Sequence, residues 1–378
     1  MKSSPKTAVV MLSEIDWDYL WQRHQIFAQH YSERVDEVFY VNRPGMRLPR
    51  WRELPYVLRR VWGAFFASSP RASGHERVRV LSPLLFPGEG WLARVLNRMI
   101  FVPRLLKNFR GFDKLVLHVY QPTTITRQVI ESCRGAYVIY DCVQNFETHP
   151  AAGARVRETE AWLISRANLM IADSLNLTSK HRPKRPDLLQ VPPGVDDMFL
   201  GAVNATVNSA PTKILYYGNI RADLDFEIIN ALASQPQVEL TMIGTLASDV
   251  RDRISPRVRV GSKIPYRDLP EKIRAADVLL LPYALNDFTQ GILPAKFFEC
   301  LASGKPILAT RLPSIEPFVE LVNVVDGPLD VEASLRRLHS KENAALSESR
   351  MAFASQSSWG GRFQSFFSRV SDEYLSQR

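Results

Sequence analysis

The sequence predicts an α/β protein built from two Rossmann-like domains, and three observations carry that prediction. Apolar runs of strand length alternate with helical patterns along the whole chain, the arrangement that places helices on both faces of a parallel sheet. At 378 residues the chain exceeds one ordinary core, since a domain takes roughly 100–200 residues. The alternation breaks once, at 201–211 (GAVNATVNSAP), an uncharged stretch of small residues ending in proline that reads as a connector.

The elements follow in order. In the first half, strands are expected at 8–12, 37–41, 78–81, 115–119, 137–140, 169–172 and 188–191, where segments such as AVVML, EVFYV and LVLHV are apolar and β-branched. In the second half they are expected at 213–217, 239–243, 257–260, 278–281, 307–309 and 323–325, with helices filling the gaps. The domains are therefore 1–200 and 212–358, facing a cleft. The final stretch, 359–378, carries Phe363, Phe366, Phe367, Val370 and Tyr374 as a helical stripe after a domain that is already complete, and is expected to cross back onto the first.

Composition narrows the class. With 46% hydrophobic and 23% charged residues the chain can bury a core, which excludes whole-chain disorder. The longest run without Asp, Glu, Lys or Arg, 198–212, is rich in Asn, Ala and Thr, so no bilayer-spanning helix is expected. An acid follows the short N-terminal apolar run within a few residues, which argues against a cleaved signal peptide. Cys133, Cys142 and Cys300 lie far apart and form neither a disulfide framework nor a zinc ligand set, which fits a reducing compartment. A cytoplasmic protein is expected. The net charge of +9 is uneven: residues 1–196 hold 28 Lys and Arg against 18 Asp and Glu, and 43–110 alone hold 14 against 3.

The most informative constellation is GILPAKFFECLASGKPI, residues 291–307. Pro294 suits a first helical turn and Gly304 a C-terminal cap before the strand at 307. The loop before this helix follows the strand at 278–281 directly, so a helix N-terminus is expected at the carboxyl edge of a parallel sheet, where doubly wound proteins bind nucleotides. Lys296 and Glu299 share one helical face. An ammonium there can hold a phosphate and a carboxylate can accept from a ribose hydroxyl, although an exposed salt bridge has the same spacing.

The stretch LLLPYALNDFTQGILPAKFFECLASGKPILAT resembles the nucleotide-sugar site of family 4-type glycosyltransferases of the GT-B fold, particularly bacterial ones that make exopolysaccharide or teichuronic-acid-like polymers. The resemblance extends to YYGNIR (216–221), VPPGVD (191–196) and WDYLWQRHQ (17–25) and covers most of the chain, 43–110 being least familiar. It implies a UDP- or GDP-sugar donor and no organic cofactor. Glu299 is implied as the ribose-binding glutamate, Gly291, Ile292, Leu293 and Pro294 as the phosphate-binding loop, and Arg221 as the basic residue after the Gly218 turn, with Tyr283 in the same donor stretch. Many retaining relatives carry glutamates in an E-x7-E arrangement; here Gly291 stands eight positions before Glu299, which leaves the stereochemical outcome open.

Transfer also needs the acceptor half. Fixed cations at Lys296 and Arg221 can take the charge of a departing diphosphate, so no metal is expected. An inverting route needs a base, and Asp141, at the end of the strand 137–140, is the first candidate, with Glu147 and His118 as others. In relatives this loop often reads YDxxD, and Gln144 stands where the second acid would be. A retaining route without a protein base stays open. Arg23 is a candidate for an anionic acceptor group, with Gln25 and Gln144 beside it.

In the basic region, 46–66 and 90–107 interleave Arg with Trp, Phe and Leu, the composition of helices lying on anionic lipid. A lipid-linked saccharide acceptor at the inner face of the cytoplasmic membrane is expected. No nucleic-acid-binding module is recognised. A nucleotide-sugar 2-epimerase of the same fold, and a non-catalytic subunit of a polysaccharide synthase, are the alternatives.

Overall fold

The structure, a computed structural model, describes residues 5–19, 21–43, 71–72, 75–83, 90–149, 152–200, 212–287, 289–291 and 293–377. The connector at 201–211 and most of the basic region lie outside the described residues. The chain divides into two units, one of Met1–Val191 with Phe363–Arg378 and one of Pro192–Arg362.

The first unit is built on an eight-stranded sheet of order β3-β4-β2-β1-β5-β6-β7-β8. Its strands are β1 (Thr7–Leu12), β2 (Glu37–Val41), β3 (Arg71–Ala72), β4 (His75–Leu81), β5 (Lys114–Val119), β6 (Tyr137–Cys142), β7 (Leu169–Ala172) and β8 (Leu189–Gln190). All pairs are parallel except β3 with β4. Continuous apolar strands of this kind demand cover on both faces; Ala8, Val9, Val10 and Met11 are wholly buried. Strand order reverses between β1 and β5, so their carboxyl ends flank a switch point.

The C-terminal stripe completes this unit. Phe363, in the helix Trp359–Val370, lies with ring centroids 5.7 Å from Phe27 and 4.8 Å from Tyr31, and Phe366 lies 5.9 Å from His118. Tyr137 donates a 2.6 Å hydrogen bond to Glu373, and Lys114 reaches the carbonyls of Tyr374 and Leu375.

The second unit is a wholly parallel six-stranded sheet of order β11-β10-β9-β12-β13-β14. Its strands are β9 (Thr212–Tyr217), β10 (Val238–Ile243), β11 (Arg259–Gly261), β12 (Val278–Leu281), β13 (Ile307–Thr310) and β14 (Asn323–Val325). The order reverses between β9 and β12. The unit begins at Pro192, earlier than the connector suggests, because Val195 exchanges backbone hydrogen bonds with Ser357 and Trp359 and Phe199 joins the second core.

One surface element stands out. The helix Trp91–Leu96 and the turns that continue it to Leu106 bury Ala93, Asn97, Val102 and Leu105 but leave Trp91 70% and Met99 72% exposed. Leu92, Val95 and Ile100 are exposed with them.

Candidate functional site

Gly218, Tyr283, Lys296 and Glu299 come together at the β9/β12 switch point. After β9 the chain turns at Gly218, whose φ of +128° favours glycine; a Cβ there would stand 2.5 Å from Lys296 Nζ. Lys296 therefore has room because position 218 lacks a side chain. Its ammonium sits 4.0 Å above the Tyr216 ring, with Tyr217 and Tyr283 at 5.5 and 5.7 Å, a cation held against aromatic faces. Desolvation lowers it to about 8, with Cys300, Glu299 and Asp223 pulling the other way.

Glu299 lies one turn along. Tyr266 donates to it at 2.7 Å and Tyr217 at 3.3 Å. Burial pushes its carboxyl up to about 7, with Tyr266, Lys296 and Tyr217 opposing the rise. The spacing that could have served an exposed salt bridge instead frames a desolvated acid and a half-buried amine. Tyr217 and Tyr266 were not singled out from the sequence; the YYG triplet was the only signal.

The helix starts later than expected. It spans Phe297–Ala302, and the Phe297 N–H bonds the Pro294 carbonyl, closing a turn through Ala295 and Lys296 ahead of it, with Leu293 and Pro294 buried before that turn. Gly291 closes a 3-10 turn with Thr289, whose N–H bonds Asn286 Oδ1; Ile292 lies outside the described residues. Arg221 is exposed and paired with Asp223 at 2.8 Å, while Asp225 caps the helix Phe226–Ser234 through the Ile228 N–H. Gly304 stands just past the end of the helix at φ +71°, where its N–H bonds the Leu301 carbonyl.

In the first unit the structure corrects several expectations. Asp141 is wholly buried at the end of β6 and grips Arg23 through both oxygens, at 2.8 and 3.0 Å, while His118 Nε2 lies 3.1 Å from Oδ2. Burial raises its pKa, but Arg23 and His118 outweigh burial and hold the carboxylate below its ordinary range. A weak, enclosed carboxylate is poorly suited to take a proton from an acceptor. Arg23 is spent on this pair and on the Val191 carbonyl, so it is not open to an acceptor anion. His118 is a core residue whose Nδ1 meets the Tyr31 hydroxyl at 2.9 Å. Gln25 forms a capping box with Gln22 at the start of the helix Arg23–Ser32. Glu147 is exposed and ion-paired with Lys180.

Gln144 donates instead to Glu14, a buried acid after β1 that sequence reasoning missed. Burial pushes Glu14 up to about 8, and His24 beside it is driven down to about 3, also by burial. Among the described residues, Cys142, Glu160 and His181 are three ligating side chains with atoms within 4.8 Å of one another. They are internally engaged: Tyr140 donates to Glu160, and Cys142 contacts His181 and the Gln144 carbonyl.

Comparison with known proteins accords with this geometry. Residues 211–338 match the family model described as Glycosyl transferases group 1. Over 160 residues, 39% of this chain and 40% of the relative, the sequence is 27% identical to TuaH of Bacillus subtilis strain 168, described as a teichuronic acid biosynthesis glycosyltransferase. The match thus spans well under two thirds of that relative's length. The fold is similar to that of sucrose-phosphate synthase from Thermosynechococcus elongatus, with TM-score 0.71 and 12% identity over 98% of this chain and 100% of the other. It is also similar to Anabaena HepE in complex with UDP and glucose, with TM-score 0.67 and 13% identity over 97% and 100%.

Proposed function

We propose that this chain, a GT-B glycosyltransferase by fold and of the glycosyl transferases group 1 family over residues 211–338, moves a sugar from a UDP- or GDP-sugar to a lipid-linked saccharide during cell-surface polysaccharide synthesis. The observation that carries the reading is the placement of Lys296 and Glu299, close enough for their charges to interact, at the β9/β12 switch point, where a nucleotide site belongs in an open α/β sheet. HepE binding UDP on the same fold supports the donor class.

The chemistry follows from these groups. As the bond between the anomeric carbon and the diphosphate breaks, negative charge gathers on the leaving oxygen. A desolvated ammonium stabilises that charge more than a hydrated one does. An incoming diphosphate also favours the charged form of Lys296, restoring what burial removes. Glu299, held by two tyrosine hydroxyls, is positioned to accept from ribose hydroxyls when ionised. Lys296 and Arg221 supply the cations, so we propose turnover without a metal.

Membrane placement rests on the exposed apolar stripe of Trp91, Leu92, Val95, Met99 and Ile100 with Arg98, Arg104 and Lys107 exposed around it. Apolar side chains flanked by cations suit an anionic lipid surface. No helix among the described residues is long and apolar enough to cross a membrane. The test is incubation of the purified chain with UDP- and GDP-sugars and lipid-linked saccharides. Acceptor-dependent nucleotide release with an extended saccharide is expected, and a chelator leaves it unchanged. Absence of transfer from every donor, or interconversion of free nucleotide sugar without acceptor, contradicts the reading.

A further inference from the structure

At the switch point of the first unit, four side chains, from three strand ends and one helix, gather around Glu14, which follows β1. Gln144, beyond β6, donates to Glu14 Oε1 at 2.9 Å, and His24 Nε2 lies 3.8 Å from the same oxygen. The His24 ring lies tilted against Tyr120, beyond β5, with centroids 3.8 Å apart. Asp173, beyond β7, is close enough for its charge to be opposed by that of Glu14.

Among the described residues, six polar atoms of this cluster are buried without a hydrogen-bond partner: Glu14 Oε2, His24 Nδ1 and Nε2, Tyr120 OH, Gln144 Oε1 and Asp173 Oδ1. Leaving such an atom unsatisfied is costly, so a concentration of them at one sheet edge marks a place where a ligand completes the bonding. Gln144, half-buried, forms the cluster's solvent edge.

We propose that Glu14, His24, Tyr120, Gln144 and Asp173 form a subsite for the hydroxyls of an uncharged sugar, so that the acceptor end taken by this unit is neutral and not a uronate or phosphate. The assignment to an acceptor rests on the transfer reading above. A sugar hydroxyl both donates and accepts, which matches carboxyl, imidazole, phenol and amide oxygen alike. An anion buried there would find the guanidinium of Arg23 already committed at Nε, Nη1 and Nη2 to Asp141 and the Val191 carbonyl. Burial also raises Asp173 and lifts Glu14 to about 8, so Glu14 presents a neutral carboxyl to a ligand at neutral pH.

Saturation-transfer NMR on the full chain, with and without UDP, tests this using methyl glycosides of a neutral hexose, an N-acetylhexosamine and a hexuronic acid. A neutral glycoside is expected to bind and the hexuronate to bind at least about tenfold more weakly. Glu14→Ala and Gln144→Ala should each weaken neutral-sugar binding about tenfold, whereas Glu14→Gln, uncharged and of the same shape, retains it. Equal or tighter hexuronate binding, binding untouched in Gln144→Ala, or no glycoside binding at all overturns the proposal. Calorimetry with UDP on the same samples separates the two sites: UDP binding without sugar binding removes this subsite alone, and sugar binding without UDP binding removes the donor reading alone.

Discussion

Replacing Glu299 with Gln should stabilise the second unit at alkaline pH while weakening nucleotide binding. Burial lifts the Glu299 carboxyl from 4.5 to about 7. Between those values the native chain binds a proton that the unfolded chain releases, so stability falls as pH rises from 4.5 through 7. A difference of that size corresponds to about 3 kcal/mol, fully expressed above pH 8 and absent below pH 4. Glutamine keeps the shape and an acceptor oxygen for Tyr266 but never ionises, so the variant escapes that loss. Hydrogen exchange of amides in the helix Phe297–Ala302 reads the local stability at pH 5 and pH 8.5. The variant's advantage should stay under about 1 kcal/mol at pH 5, where only part of the loss is expressed, and reach about 3 kcal/mol at pH 8.5. Equal protection at both values, or lower protection in the variant at pH 8.5, would refute the claim that a buried, destabilised carboxyl is kept for binding.

Other consequences are as direct. Asp141→Asn leaves the Arg23 guanidinium buried beside a neutral amide, and urea unfolding of the first unit should show a loss of about 3–5 kcal/mol, with part of it recovered in Arg23→Met/Asp141→Asn. Because Arg23 and His118 hold Asp141 below its ordinary range, the stability it supplies is present above pH 3.8 and lost as pH falls through the lower native value, so the wild type should lose more stability in acid than the double variant. Gly218→Ala places a methyl group against Lys296 in a left-handed backbone, a strain of about 1–3 kcal/mol that calorimetry should register as weaker nucleotide binding. Flotation with anionic vesicles should fall in Trp91→Ser/Met99→Ser and on raising salt, since exposed charges are screened over about 8–10 Å near physiological ionic strength; retention of the double variant on the vesicles contradicts the membrane surface assigned to that helix.

Local periodicity made the sheets legible. AVVML, EVFYV and VLLL are buried strands because runs without a polar face have no place except between covering layers, and strand ends fell within a few residues of the expected ones. The stripe at Phe363, Phe366 and Phe367 declared a helix needing a partner surface. What stayed hidden depends on pairing across long separations. Nothing near Arg23 announces that its counterion lies at Asp141, and the same arginine therefore looked open to an external anion. Tyr266 reaches Glu299 from another helical turn, and its role appears only when both are packed. Glu14 sat beside the quoted WDYLWQRHQ segment, yet its burial follows from the loop's path and not from its neighbours in sequence. At Pro294 the expected helix start failed for a local reason: the turn that precedes the helix is closed by the Phe297 N–H, which displaces the first helical residue.

The central claim is that Lys296 and Glu299 form a nucleotide-diphosphate site, and calorimetric titration of UDP and GDP into the wild type, Lys296→Ala and Glu299→Ala tests it most directly. At least one nucleotide should bind the wild type. Each variant, still folded, should lose about 1.5–3 kcal/mol of binding free energy, roughly a 10- to 150-fold weakening, as expected when a charge-assisted hydrogen bond is removed. Failure of both nucleotides to bind the wild type, or unchanged affinity in both variants, contradicts the account.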